Sequence, residues 1–318
     1  MKKILGLILF SLLCVNFAFA QGEGAFSYTF VQQDPVLQGA GSVGVAVNSY
    51  DVLGFNHNPA QLGNFGEKNN AALFFQPSEV EYEGNIFSEM KINTFGGAVG
   101  YNFNSSDLPL SIGLGFIHSQ LDYGYGKYLD VPGDVYDRYD MISVGAKYTY
   151  FLEFNLGFGI KNCKSVIPSP LYGEYKMSFT SLDFGFMATL PITKLWFNNL
   201  DYKINDENIL KPKASITIGY ALLNVGDSVS YSNLQHSDPI RRTANWGYSI
   251  NLGLDFQYKN ILMNLIYYSF AAEVEDVLSN RNANGEIDYD GIFGNVRVVD
   301  NLINLKGTQE IIVHKGHI

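Results

Sequence analysis

Charge is scarce in this 318-residue chain: Asp, Glu, Lys and Arg together make up 16% of it, where a soluble secreted domain carries about a quarter. What charge there is leans acidic, with 21 Lys and Arg against 31 Asp and Glu. That balance excludes a nucleic-acid partner, because phosphate binding needs clustered basic side chains. Cysteine is nearly absent too. Cys14 lies in the first twenty residues and Cys163 stands alone after them, so no intramolecular disulfide staples the mature fold. Long apolar runs are missing after residue 20, which excludes a transmembrane helix. The five histidines, His57, His118, His236, His314 and His317, show no i, i+4 zinc spacing. No Gly-x-Ser-x-Gly elbow occurs. The residues therefore carry no catalytic constellation, no metal site and no cofactor motif, and the chain reads as a non-enzyme.

The first twenty residues form a leader. Lys2 and Lys3 make a basic n-region, Ile4–Val15 is apolar, and Ala18-Phe19-Ala20 is a small-x-small cleavage site. Export of a chain beginning at Gln21 is expected. Loss of the two lysines takes the formal net charge from −10 to −12.

Aromatics and glycine are abundant, with 21 Tyr, 23 Phe and 32 Gly. From residue 70 onward the pattern has period two. Leu108, Leu110, Ile112, Leu114 and Phe116 alternate with small or polar residues. So do the runs 142–150, 154–160, 182–190, 214–222 and 248–258. Weaker strands read at 70–77, 92–103, 260–272 and 295–304. Side chains of a strand alternate between faces, so each run has one oily and one polar or small face. The runs reach the roughly nine to eleven residues of a tilted membrane strand, against about five or six in soluble sheets. Aromatics such as Tyr101, Tyr148, Tyr150, Tyr248 and Tyr258 sit at the ends of the stripes, where interfacial girdles belong. Connections alternate between short (104–107, 152, 259–260) and long (122–139, 162–173, 225–246, 273–294), with 191–212 the exception. An antiparallel outer-membrane β-barrel follows, with about ten strands legible by residue 304. The tail QEIIVHKGHI starts another apolar stretch and stops, and missing C-terminal strands are expected.

Residues 21–66 have no sustained period. Asp34-Pro35 and Asn58-Pro59 suit short helical turns beginning at the prolines. The stretch Gly39–Phe65, GAGSVGVAVNSYDVLGFNHNPAQLGNF, is glycine-rich and centred on Asn58, Pro59 and Ala60. A glycine-rich apolar segment can pack closely against a barrel wall. The remaining candidates read more simply as structure. His57 is a turn residue, Asn280–Ile287 a solvated loop with no Asp at the first calcium position and Gly291 where a bidentate Glu is needed, weak calcium binding beside Glu286, Asp288 and Asp290 being the alternative, and Asp130–Asp140 an acidic outer loop.

Gly39, Ala40, Gly41 and Gly44, followed by Asn58, Pro59, Ala60 and Leu62, resemble the start of the FadL-like outer-membrane proteins. They are closest to the PorV/PorQ branch associated with type IX secretion. Gln61 replaces the usual glycine, and Ser42-Val43 stands where a double glycine is common. The resemblance implies a barrel of about fourteen strands, residues 67–318, with residues 21–66 as a luminal, plug-like segment. Gly39, Gly41, Gly44, Asn58, Pro59 and Ala60 would be its working residues. It implies two roles. One is a secretion accessory that binds the secretion channel or its cargo. The other is a channel for hydrophobic small molecules such as fatty acids or aromatics. Either would sit among the lipids of the outer membrane of a Gram-negative bacterium.

Overall fold

The computed structural model describes residues 25–30, 34–49, 51–80, 90–106, 108–123, 135–169, 173–197, 200–205, 207–231, 237–259, 261–281, 287–289, 291–294, 297–308 and 311–318. The leader and its cleavage site lie outside them. The fold is all-β and antiparallel. Its strands are β1 (Ala71–Val80), β2 (Met90–Asn102), β3 (Leu110–Asp122), β4 (Tyr136–Thr149), β5 (Glu153–Ser169), β6 (Gly173–Pro191), β7 (Tyr202–Lys203), β8 (Asn208–Val225), β9 (Thr243–Tyr258), β10 (Ile261–Val277), β11 (Ser279–Arg281), β12 (Ile287–Tyr289) and β13 (Ile311–His317). One sheet runs in the order β1-β2-β3-β4-β5-β6-β8-β9-β10-β13, with β7 paired to β8, and β11 and β12 form a separate hairpin. Sequential neighbours pair throughout this path except where β7, β11 and β12 intervene, as up-and-down sheets require. Among the described residues, no helix is long and apolar enough to cross a membrane.

The period-two runs became strands with the expected faces. In β3, residues 111, 113, 115, 117, 119 and 121 are buried, while Leu114 and Phe116 are exposed. The strands are longer than the apolar runs. β5, β6 and β8 have 17, 19 and 18 residues. This length corrects three expected loops. Of residues 162–173, 162–169 belong to β5 and 173 begins β6. Residues 136–140, expected in an acidic loop, pair in β3–β4–β5. Residues 273–277 extend β10. Polar residues continue these strands because the ladder tolerates any side chain once its neighbour strand is in place.

Residues 295–304, expected as a strand, carry a helix at Val298–Asn304 instead. Val298 and Leu302, four apart, pack on Val274, Ile311, Trp246 and Val313. A helical repeat therefore buries what looked like strand alternation. The tail 311–317 does form a strand, paired to β10. The long connection 192–207 holds a one-turn helix, Ile192–Trp196, and β7. The residues after both N-terminal prolines are helical as expected: α1 at Pro35–Gly39 and α2 at Gln61–Gly66. Asp34 caps α1, its Oδ1 accepting from Val36 N at 2.9 Å and Leu37 N at 3.0 Å. Burial outweighs those bonds and holds the Asp34 carboxyl above its ordinary range.

Candidate functional site

The two faces of the sheet are chemically inverted relative to a soluble protein. The outward face is apolar: Leu114 is 50% exposed, Ile142 59% and Leu156 63%. Much of the covered face is polar, with Thr94, Ser119, Ser143, Asn155, Lys161, Asp183, Thr217, Ser249 and Ser269 all buried, and an apolar patch at Ile117, Tyr139, Met141 and Cys163 interrupts it. The described residues of 25–30, 34–49 and 51–66 provide the cover.

The reason they fit is a row of glycines. Gly100 lies opposite Gly113, Gly113 opposite Gly145, Gly145 opposite Gly157, and Gly157 opposite Gly185, across five successive strands. All five face the N-terminal segment. A Cβ at Gly145 would stand 2.6 Å from Pro59 O, and one at Gly100, Gly157 or Gly185 would strike the backbone or side chains of residues 58–66. With no side chains in the way, α2 and the Asn58-Pro59-Ala60 turn lie directly on the strand backbones. At the other end of the row the position after Gly185 is Ala221, opposite Asn245.

Irregular backbone buried on a sheet needs hydrogen-bond partners that it cannot supply itself. The inward polar side chains supply them. Glu273 Oε2 accepts from Gly44 N at 2.8 Å and Val45 N at 3.0 Å. Ser249 Oγ donates to Ala46 O at 2.8 Å, Asn155 Nδ2 to Ala60 O at 3.2 Å, and Ser111 Oγ to Gly63 O at 2.7 Å. Lys147 Nζ bridges Glu67, at the end of α2, and Glu153, both at 2.8 Å.

Asn58 is the centre of this arrangement and fully buried. Its Nδ2 donates to Val45 O at 2.7 Å, and more weakly to Phe186 O at 3.3 Å and Tyr220 O at 3.4 Å. Its Oδ1 accepts from Ala60 N at 3.0 Å. One side chain thus ties the segment to itself and to β6 and β8. Pro59 lies against Gly145 and Gly157, and Ala60 is fully buried. Gly44 rests on the His57 ring. Gly41 has φ +86° and sits under Lys315 O, so the position needs glycine twice over. Gly39 has open space around it and no such constraint. The structure therefore brings Gly41, Gly44, Asn58, Pro59 and Ala60 onto one sheet face, and leaves Gly39 at the end of α1.

Sequence reasoning missed the sheet's half of the contact: Glu273, Ser249, Asn155 and Lys147. They were visible only as polar members of alternating runs. It also missed a polar cavity of about 260 Å³ lined by His57, Lys161, Asn224, Arg241, Glu273, Glu275 and His314, among others. Several of the charges in it are paired. Lys161 Nζ is 2.8 Å from Asp183 Oδ2, and Arg241 is 2.9 Å from Glu275, which His314 approaches at 3.5 Å. Burial, helped by His314 and Lys161, lowers His57 from 6.5 to about 4. His57 is thus part of a charged cavity as well as a turn residue. Of the acidic loop candidates, Asp137 faces inward and accepts from Tyr123 Oη at 2.7 Å, while Asp140 faces outward beside His118 at 2.6 Å. Most of the 280–290 loop lies outside the described residues. No group of three or more His, Cys, Asp or Glu that could hold a metal occurs among the described residues.

Comparison with protein-family models returned no match, nor did comparison with curated protein sequences.

Proposed function

We propose that this chain is a non-enzymatic outer-membrane β-barrel whose lumen is filled by its own N-terminal segment. On that reading it serves as an accessory of the PorV/PorQ type in type IX secretion, binding the secretion channel or secreted cargo. The observation that carries the membrane part is the inverted sheet. A large contiguous exposed apolar surface marks a membrane or partner face, and here exposed apolar residues run from Phe95 and Val99 on β2 to Ile261, Leu262 and Ile266 on β10. Strand tilt in a barrel supports it further. The line of paired positions that holds the glycine row starts near the 103–109 and 150–152 turns at β3–β5 and, continued through Ala221 and Asn245, arrives near the 226–242 connection at β8–β9, the stagger that a closed, sheared sheet produces.

The accessory role is supported by what fills the inner face. Phe26, Tyr28, Phe55, Leu62 and Phe65 pack with Ile117, Tyr139, Met141 and Cys163 in one apolar cluster. The cavity beside it is polar and charged. An uptake channel for fatty acids or aromatics needs a continuous apolar passage there instead. A filled barrel presents its loops and wall to partners.

The test is purification from native outer membranes in mild detergent. A large secretion channel or a secreted protein should co-purify. Recovery in a soluble fraction would end the membrane reading. A fatty acid or aromatic compound bound inside would replace the accessory role with uptake.

A further inference from the structure

The outer wall changes character along the strands, and the change is sharpest on β1–β5. Leu73, Gly97, Phe116, Ile142 and Ile160 are direct cross-strand neighbours on the outward face. The next outward row toward the 124–134 connection is Phe95, His118, Asp140 and Asn162, and the one beyond it contains Gln120, Arg138 and Lys164. The apolar row is not flat. Gly97 leaves a depression walled by Leu73, Phe95, Val99, Leu114 and Phe116, with a volume of about 1060 Å³. A Cβ at Gly97 would stand 2.6 Å from Leu73 Cδ2. A second depression of about 360 Å³ shares Leu114, Phe116 and Ile142 with the first and ends at Asp140 and Asn162.

Above these grooves stand two cations directly opposite each other, Arg138 and Lys164. Like charges so placed repel. Asp140 answers part of this charge. Its Oδ1 is 2.6 Å from His118 Nδ1, and its Oδ2 is 3.8 Å from Arg138 Nε. Lys164 Nζ lies 5.7 Å from the Tyr136 ring centroid. The next outward lysine, Lys176, is engaged by Glu174 at 2.6 Å. Arg138 and Lys164 sit two residues beyond Asp140 and Asn162, about 7 Å along the strand from the groove's end.

We infer that this face binds one phosphate-bearing lipid, with its acyl chains in the joined grooves and its phosphate between Arg138 and Lys164. This rests on the membrane reading above. Charge selects the occupant. Arginine pairs with phosphate through two parallel hydrogen bonds, and the grooves are continuous with the apolar wall, so the ligand enters from the bilayer.

The test is native mass spectrometry of the detergent-solubilised protein, titrated with phosphatidylglycerol or with phosphatidylcholine of the same chains. One phosphatidylglycerol should bind with at least about tenfold preference. The double variant Arg138→Glu, Lys164→Glu should lose the preference, and Gly97→Val should weaken retention of either lipid. Lys306→Glu, an exposed change elsewhere, should alter nothing. Equal binding of both lipids, or a preference that survives the double variant, overturns the site. Insertion into phosphatidylcholine vesicles separates the two readings. A protein that inserts without lipid preference refutes the lipid site alone, and one that does not insert refutes the membrane reading itself.

Discussion

Replacing Asn58 with alanine is the sharpest way to ask how the N-terminal segment is held. The change leaves the sheet's own ladders intact. It removes the partner of the Ala60 amide and of the Val45 carbonyl, and two weaker contacts to Phe186 O and Tyr220 O. A buried polar group left without a bond costs about 1–3 kcal/mol; the two principal losses share one side chain and do not add fully, so together they destabilise the docked segment by about 2–4 kcal/mol. That cost falls on local release, because nothing in it breaks a strand pair. It corresponds to a population of released molecules raised about 30- to 1000-fold. Cys163 reports this directly. Its side chain is 1% exposed and packs in the cluster with Phe26 and Tyr28. In a Cys14→Ser background, maleimide labelling of Cys163 should accelerate by the same factor when opening is fast relative to reaction. Asn58→Asp keeps the acceptor for Ala60 but loses the donor, and should label no more slowly than the alanine variant. Labelling of Asn58→Ala within twofold of the parent would refute the assignment of Asn58 as the tie.

Three other outcomes follow from the same geometry. Gly157→Val places a side chain on the backbone of Pro59 and Ala60; it should cost about 1–3 kcal/mol of docking and raise protease sensitivity within 34–66, whereas Gly291→Ala, with open space around it, should not. Lys161→Met strands the buried Asp183 carboxylate and should destabilise by about 3–5 kcal/mol in denaturant melts; adding Asp183→Leu should recover part of the loss. The pH response of His57 has a definite sign. Its docked value, about 4, lies below its ordinary 6.5, so release takes up a proton and the hold weakens as pH falls from about 6.5 to about 4. Hydrogen exchange at the Gly44 and Val45 amides, corrected for intrinsic rates, should show added opening across that window, and His57→Gln should abolish the added part.

The strand faces were legible because the period of a strand is two and the chain keeps it for long stretches. Leu110, Ile112, Leu114 and Phe116 point one way whatever surrounds them. Strand length, aromatic stripe ends and alternating connection lengths point the oily face outward, and the structure buries Asn155, Lys161 and Asp183 on the other face. Strand ends were not legible, because Asp137, Arg138 and Lys164 carry no β signal of their own and owe their conformation to the neighbouring ladder. The helix at 298–304 was misread because Val298, Val299, Leu302 and Ile303 satisfy a short strand as well as a helix, and only the patch formed by Val274 and Ile311 decides between them. At the candidate site, Asn58, Pro59 and Ala60 stood out as a motif. Glu273 and Ser249 did not, since their partners lie more than 200 residues away.

The glycine row also bears on the order in which the molecule assembles. Each glycine in a strand disfavours the extended state by about 0.5–1 kcal/mol relative to alanine, and here five of them stand side by side across neighbouring strands. Before residues 58–66 arrive, that band is the least committed part of the sheet, with no side-chain contacts to fix its register. The segment that covers it closes contacts with residues 34 to 127 positions later in the chain. In the finished structure Gly66, Leu62, Pro59 and Asn58 stand over Gly100, Gly113, Gly157 and Gly185, so the N-terminal stretch supplies across β2 to β6 the contacts that the glycines themselves lack.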